Sequence, residues 1–338
     1  MKQKRITFFL IVLVAMLLFP GRTAFATNHD HSGWNSLSDP VLSISTGNFY
    51  LEQSSRSIFN LSVKGDVCLC LNGYSLESVE IIVYGNLTLC SCRDSGDESI
   101  GYGLVSANFI VYEGATLNLS DITIEGSIRS FGTINMESGT VRGRVELIGT
   151  SSSLKMSGGK ITGGEGENGG GLSINGGKAE LSGGEISGNS ATKGGGIYIG
   201  ADEAGNMGSL TILQNMDITN NSASFGGGIY ANGDVTIQDV TISGNTATQD
   251  GGGLYFGSDA DSTPLKAYLK LNNGTITDNK ALRNGGGMYI GTYDKMKNSA
   301  ISIHDRMYIT HNSASCGGGV YATGDFAVSG CTISGNTA

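Results

Sequence analysis

Residues 242–256 read ISGNTATQDGGGLYF, and the phrase returns with substitutions through the C-terminal half of the chain. It recurs as ISGNSATKGGGIYI (186–199), ITNNSASFGGGIYA (218–231), ITDNKALRNGGGMYI (276–290) and ITHNSASCGGGVYA (309–322), with a weaker earlier copy, ITGGEGENGGGLSI, at 161–174. Its opening, TISGNTA at 241–247, reappears as the last seven residues, 332–338. Between copies lies a second pattern, in stretches such as AELSGGEIS, SLTILQNMDIT, DVTIQDVTIS, AISIHDRMYIT and FAVSGCTIS. Apolar and polar residues alternate there over a few positions before Gly, Asn or Asp intervenes, which is the period-two signature of short strands. Three short strands and three turns per repeat are expected.

The repeat length fixes the architecture. Asn189, Asn221, Asn245, Asn279, Asn312 and Asn336 mark equivalent corners separated by 32, 24, 34, 33 and 24 residues. A turn of about 22–25 residues fits one coil of a three-sided parallel β-helix, whose coils stack at the strand spacing of about 4.8 Å. The fold expected is therefore all-β, a single-stranded right-handed parallel β-helix. The longer separations carry insertions after the Tyr strand, GADEAGNMGS, GSDADSTPLKAY and GTYDKMKNSA, which project from one corner, where solenoids often place ligand contacts.

Each residue type has a predicted place. Ile186, Ile218, Ile242, Ile276, Ile309 and Ile333 point inward and stack. The asparagines take the left-handed conformation of a tight corner and bond to the next coil as a ladder. The triple glycines allow positive φ and close backbone approach. Tyr198, Tyr230, Tyr255, Tyr289 and Tyr321, each between two inward apolar residues, point outward. Such a ridge packs against sugar faces or another protein, or covers the Gly-rich backbone and adds cross-strand stacking.

The cysteines offer a second register. Cys68 and Cys70 precede Cys90 and Cys92 by 22 residues, so stacking by one coil sets Cys68 against Cys90 and Cys70 against Cys92 on a common face. Three readings stand: a buried stack of small side chains, inter-coil disulfides, or a CxC…CxC metal site, although zinc sites usually place more residues between ligands. Cys316 and Cys331 fall in neighbouring strands of the last coil.

Composition bounds the function. Lys2, Lys4 and Arg5, an apolar run from Ile6 to Phe19 and the small-x-small Ala24-Phe25-Ala26 form an export signal, residues 1–26. The run is too short to span a bilayer, so no membrane span is expected after cleavage and the protein is placed outside the cell or on its surface. Four of the 21 basic residues and none of the 30 acidic ones lie in this leader, so the net charge moves from −9 to −13 on cleavage. That balance repels phosphate backbones and excludes nucleic acid as a partner. Gly, at 54 of 338 residues, has no Gly-X-Y period and only three prolines accompany it, which excludes collagen. Residues 27–44 read as a polar tail and N-terminal cap, 45–160 as irregular coils and 161–338 as regular repeats. The chain stops inside a repeat, so it is expected to be a fragment of a longer one.

GGG-apolar-Tyr after Ile-Ser-Gly-Asn resembles the β-helix repeats of bacterial surface proteins, and is similar to the chlamydial polymorphic outer-membrane protein repeat with its Gly-Gly-Ala-Ile and Phe-x-x-Asn motifs. GGGIY at 194–198 and 226–230 matches the first motif, while Ile replaces Phe in the second. HDHSGW (29–34) and DVCLCLNGYSL (66–76) resemble the start of large secreted repeat proteins of anaerobic gut bacteria. The resemblance implies an adhesin-like surface protein binding carbohydrate or protein ligands. The same fold class includes pectin-lyase-like enzymes, so the alternative is a carbohydrate-active lyase or hydrolase, with Asp clusters and an Arg, Lys or His converging on one strand face. No such repeated set is legible. Asp202/Glu203, Asp259/Asp261 and Asp294 scatter over inserted loops, His304-Asp305-Arg306 and His311 stand late in the chain, and His29-Asp30-His31 lies in the tail. No catalytic residue and no metal site are assigned. No cofactor is implied; calcium is the one ion the acidic loops invite, and the GGxGxD nonapeptide period does not recur.

Overall fold

The computed structural model describes residues 31–37, 43–57, 59–91, 103–257, 267–291, 300–324 and 326–338, and in them the chain winds as a parallel β-helix. Thirty strands join in one continuous sheet and five in a second, and every strand pairing is parallel. Residues 1–30, where an export signal is expected over 1–26, Cys92, and the stretches holding Asp259, Asp261 and Asp294 lie outside the described residues. Among the described residues no helix is long and apolar enough to cross a membrane.

One coil shows the plan. Ile197–Gly200 forms the first face, Ser209–Ile212 the second and Met216–Thr219 the third. After a corner at Asn221 the chain adds Ser222–Phe225, passes through three glycines and enters the next first-face strand, Ile229–Ala231. The strand Ser222–Phe225 corrects the expectation of three strands per coil. From Glu165–Asn168 onward each coil adds a fourth strand, and these make the separate five-stranded sheet. Its small polar segments, such as SATK and SASF, show no apolar alternation. Where they bury an apolar side chain it is an Ala, as Ala223 stacks on Ala247 and Ala247 on Ala281. Near the N-terminus Asn35–Leu37 pairs with Phe49–Leu51 and covers the first second-face strand.

The core is a set of stacked columns. Ile161, Ile186, Ile218, Ile242, Ile276 and Ile309 stand in register on successive third-face strands, each 0% exposed. Burial of each is worth about 2 kcal/mol. Ile333 continues the register beside Ile309.

At the corner that follows, the residue in the left-handed region is not the ladder asparagine but the one before it. Gly188, Asn220, Gly244, Asp278, His311 and Gly335 have φ between +55° and +66°. That explains why this position varies only among Gly, Asn, Asp and His, the types that tolerate such a φ. The asparagines themselves point inward and form a hydrogen-bonded chain. Asn221 Nδ2 donates to Ile186 O (2.9 Å) and to Asn245 Oδ1 (3.0 Å), and Asn221 N donates to the same Asn245 oxygen (2.9 Å). The arrangement repeats from Asn189 through Asn245, Asn279 and Asn312 to Asn336. Each interior amide thus donates twice and accepts twice, which satisfies it in a site shut off from water.

The triple glycines make room for this chain. The first of each triplet has positive φ, as Gly226 does at +63°. The third faces the ladder: a Cβ on Gly228 would stand 2.5 Å from Gly253 O and 3.1 Å from Asn245 Nδ2. Asn245→Ala is therefore expected to lower stability by roughly 3 kcal/mol or more, because Asn221 N–H and the Ile218 carbonyl lose their buried partners. Gly228→Ala should destabilise comparably without removing any polar group. Urea unfolding followed by circular dichroism checks both.

Candidate functional site: a polar groove along the rod

The tyrosines of the repeat do form a column, but the column is not an open ligand face. Tyr198, Tyr230, Tyr255, Tyr289 and Tyr321 stack ring on ring with centroids 5.5, 4.7, 4.7 and 5.5 Å apart and planes within 13° of parallel. Tyr230 is 1% and Tyr255 7% exposed. This corrects the outward ridge in two respects. Residues at the end of the fourth strands fold over it, with Lys193 Nζ 5.6 Å from the Tyr230 ring and Phe225 edge-on to Tyr255. Stacking along the axis also occupies the π faces of the inner rings, so no flat face is left for a sugar. The rings lean over glycine backbone: a Cβ on Gly200 would meet the Tyr198 ring at 2.5 Å. Their work in the structure is cross-strand packing.

An open concavity lies elsewhere, along the edge where the second face turns into the third. A groove of ≈ 700 Å³ runs there over the N-terminal coils. Its long side is one column of outward second-face side chains in register: Asn48, Cys68, Thr88, Asn118, Asn135, Lys155 and Glu180. The alternation of the strands puts Ile134, Leu154 and Leu181 inside and these polar groups outside. Within the column Asn118 Nδ2 donates to Thr88 Oγ1 (3.1 Å) and Asn135 Nδ2 to Asn118 Oδ1 (2.8 Å). Alongside, Asn86 Nδ2 donates to Asp66 Oδ1 (2.6 Å). Glu137, Ser157 and Ser182 line the groove from the corner, and Val67, Met136 and Met156 add apolar patches.

One coil beyond Ser182 the same edge continues as a second open stretch of ≈ 500 Å³, lined by Asn215, Asp217, Asp239, Thr241, Asn273, Arg306 and Tyr308 among others. Carboxylates outnumber cations in both stretches: Asp66, Glu137 and Glu180 against Lys155, then Asp217 and Asp239 against Arg306. The groove is thus a long polar channel of mildly negative potential, lined chiefly by amides and hydroxyls.

The other polar groups singled out in the sequence fall apart in space or serve turns. His304 Nδ1 lies 2.7 Å from Ser329 Oγ, whereas His311 is the exposed left-handed corner residue of its repeat. Asp305 and Arg306 shape the edge, with φ of +40° and +55°. Asp202 closes the inserted hairpin, accepting from Asn206 N (2.8 Å) and Ala204 N (3.0 Å). Bonds from the Asn206 side chain and the turn amides hold its carboxyl below the usual range. His31 stacks on Tyr50 at 4.6 Å. Among the described residues no three His, Cys, Asp or Glu side chains converge as a metal site would require.

The cysteine register also needs correction. Cys68 stands opposite Thr88 and Cys70 opposite Cys90, because the coil between them takes 20 residues and not 22. Cys68 is therefore not set squarely against Cys90, and Cys92, the expected partner of Cys70, lies outside the described residues. Cys316 bridges to Asn284 on the fourth-strand side, while Cys331 donates to Ser329 O (3.2 Å) and Ile303 O (3.5 Å) at the groove edge; they occupy different sides of the coil and do not pair.

With this geometry in view, the comparison with protein families is specific. The Chlamydia polymorphic membrane protein repeat matches residues 239–257. That stretch holds most of a third-face strand, left-handed Gly244, ladder Asn245, the short strand Thr246–Asp250, Gly251 to Gly253 and the Tyr strand Leu254–Phe256. The polymorphic membrane protein repeat is therefore the corner-and-glycine unit on which the coils stack. No curated protein and no solved structure matches the chain.

If the tyrosine column is packing, its middle must carry more energy than its end. Tyr230→Ala should cost about 3 kcal/mol or more, as expected for a buried aromatic. Tyr198→Ala, at a half-buried end with one stacked neighbour, should cost clearly less. Equal costs in chemical denaturation would mean that the central rings are not enclosed.

Proposed function

We propose that this chain is a bacterial surface-displayed binding rod, adhesin-like, that holds an extended glycan along the groove between its second and third faces. The observation that carries this reading is the in-register column Thr88–Asn118–Asn135 on the groove side. Asn118 spends one amide hydrogen and one lone pair within the column, which leaves a donor and an acceptor for a ligand hydroxyl. The column repeats at the strand spacing, so it suits a chain polymer lying parallel to the rod. The surplus of carboxylates favours neutral or amino-sugar polymers over polyuronates, whose charge the groove would repel. Surface display is supported by the polymorphic membrane protein repeat at 239–257, whose family is one of membrane proteins, together with the export signal in residues 1–26. A protein ligand is the competing occupant.

A panel of immobilised neutral, amino-sugar and uronate polysaccharides tests the reading. Retention on neutral or amino-sugar polymers is expected, with little on polyuronate. Asn135→Ala should weaken retention on the order of tenfold, the loss of one hydrogen bond with its share of desolvation, while leaving the unfolding midpoint nearly unchanged. Appearance of new reducing or unsaturated sugar ends during incubation would replace binding by catalysis, and equal retention on polyuronate would refute the charge argument. Protein recovered from the exporting cell should begin at Thr27 on N-terminal sequencing.

A further inference from the structure

Beside the groove column lies a cysteine cluster that glycan binding does not use. Cys70 and Cys90 are directly opposed on adjacent parallel strands, 0% and 5% exposed, beneath Trp34 and Tyr50. Opposed positions on neighbouring strands lie about 4.8 Å apart, inside the ~4.4–6.8 Å Cα span that a disulfide accepts. Cys68, two residues before Cys70 and on the same outer side, is half-buried and lines the groove. It faces Thr88, so its route to Cys90 is diagonal, roughly 7–8 Å between strands, and a bond along it strains the backbone. Cys90 Sγ lies 3.9 Å from Leu69 O, the carbonyl between Cys68 and Cys70. Cys68 is thus the thiol of the three that meets solvent, and access is one of the properties that set reactivity.

We propose that these three residues form a redox site in which groove-facing Cys68 accepts an external disulfide and Cys70–Cys90 is the stable product. The oxidant is a small-molecule disulfide of the glutathione class, which exported proteins meet in oxidising compartments. The Cys68 thiolate attacks one sulfur of that disulfide and expels one small thiolate, which leaves a mixed disulfide on Cys68. Cys90 yields its proton to the released thiolate and attacks the Cys68 sulfur. The second small thiolate departs, and a strained Cys68–Cys90 bond forms. Cys70 then gives up its proton and attacks Cys90 Sγ, which returns Cys68 as a thiol and leaves the in-register bond. In sum two protein thiols lose two electrons and two protons, and the external disulfide becomes two thiols. The strained intermediate is the labile one, as exchange chemistry requires, and the product staples two successive N-terminal coils beside the groove.

The test uses the full chain, reduced and then exposed to glutathione disulfide, with linkages mapped by mass spectrometry under non-reducing conditions. The expected product is Cys70–Cys90, reversed by dithiothreitol and accompanied by a higher unfolding midpoint. Cys68→Ser should give the same linkage on the order of tenfold more slowly. Cys90→Ala should give none and should accumulate glutathione on Cys68. A linkage through Cys92, an unchanged rate in Cys68→Ser, or no oxidation of the unaltered chain would each overturn the proposal. Should Cys90→Ala fail to fold, the linkage map of the unaltered chain and the Cys68→Ser rate decide the matter without it.

Discussion

The structure depends on one chain of buried amides. Asn189, Asn221, Asn245, Asn279, Asn312 and Asn336 pass hydrogen bonds from coil to coil at a corner from which water is excluded. A buried amide with open positions costs on the order of 1–3 kcal/mol for each group left unmet, so the ladder tolerates no slip in register. A shift of one residue would turn every Asn out and every Ile of the neighbouring column with it. The ladder therefore does for this solenoid what a tertiary core does for a globular domain: it selects one stacking out of many that are equally apolar.

That constraint accounts for the unusual composition. The Asn side chain needs space in the coil facing it, and only glycine supplies it at Gly196, Gly228, Gly253, Gly287 and Gly319, each with a ladder Asn Nδ2 about 3 Å from where a Cβ would sit. The glycine-rich strip loses side-chain packing, and the aromatic column compensates on the adjacent first face, with Tyr198, Tyr255 and Tyr289 reaching over Gly200, Gly257 and Gly291. Where a coil gains one residue before its glycines, the excess is taken up in the fourth strand without disturbing the ladder. The irregularity falls before Asp250 and Asn284, which keep register with Phe225 and Cys316, and the buried Asp250 carboxylate accepts from Asn284 Nδ2 (2.8 Å), Asn284 N (3.1 Å) and Arg283 Nε (3.3 Å).

Much of this is legible from the amino acids, and the division between what is and what is not has a physical basis. The inward columns of Ile and Asn are legible because burial allows few residue types, so the pattern survives every insertion. The fourth strand is not legible, since Ser190–Lys193 has no fully buried residue and Ser222–Phe225, Thr246–Asp250 and Lys280–Ala281 each bury a single apolar side chain, an Ala, which leaves no alternation to read. The cysteine register fails because coil length is not constant: 20 residues separate Cys70 from Cys90, while 25 separate Ile161 from Ile186. The tyrosine ridge admits two readings in the sequence, ligand face or backbone cover, and the contact that favours the second, Lys193 of the preceding coil over Tyr230, is one no single repeat reveals. The groove is hidden for a related reason. Thr88, Asn118 and Asn135 are the middle residues of the apolar-x-apolar stretches Leu87–Leu89, Leu117–Leu119 and Ile134–Met136, so their outward direction is legible, but only the stack sets them side by side.

The separation of inward and outward positions also says where function can reside on such a rod. Inward positions are fixed by the ladder and the Ile column, and the first face is taken up by rings stacked on each other and on glycine. What remains free to vary without cost to the stack is the outward second-face column and the edge beyond it. There the N-terminal coils carry Asn, Thr, Lys and Glu, whereas the same columns of later coils carry Thr211, Thr236 and Lys270. The coils with the least regular repeat thus hold the most varied polar surface. The fourth strand of the later coils lies between the third face and the first, so the edge between the second and third faces stays open along both stretches. Regularity stabilises the rod, and departure from it makes the surface that a ligand can distinguish.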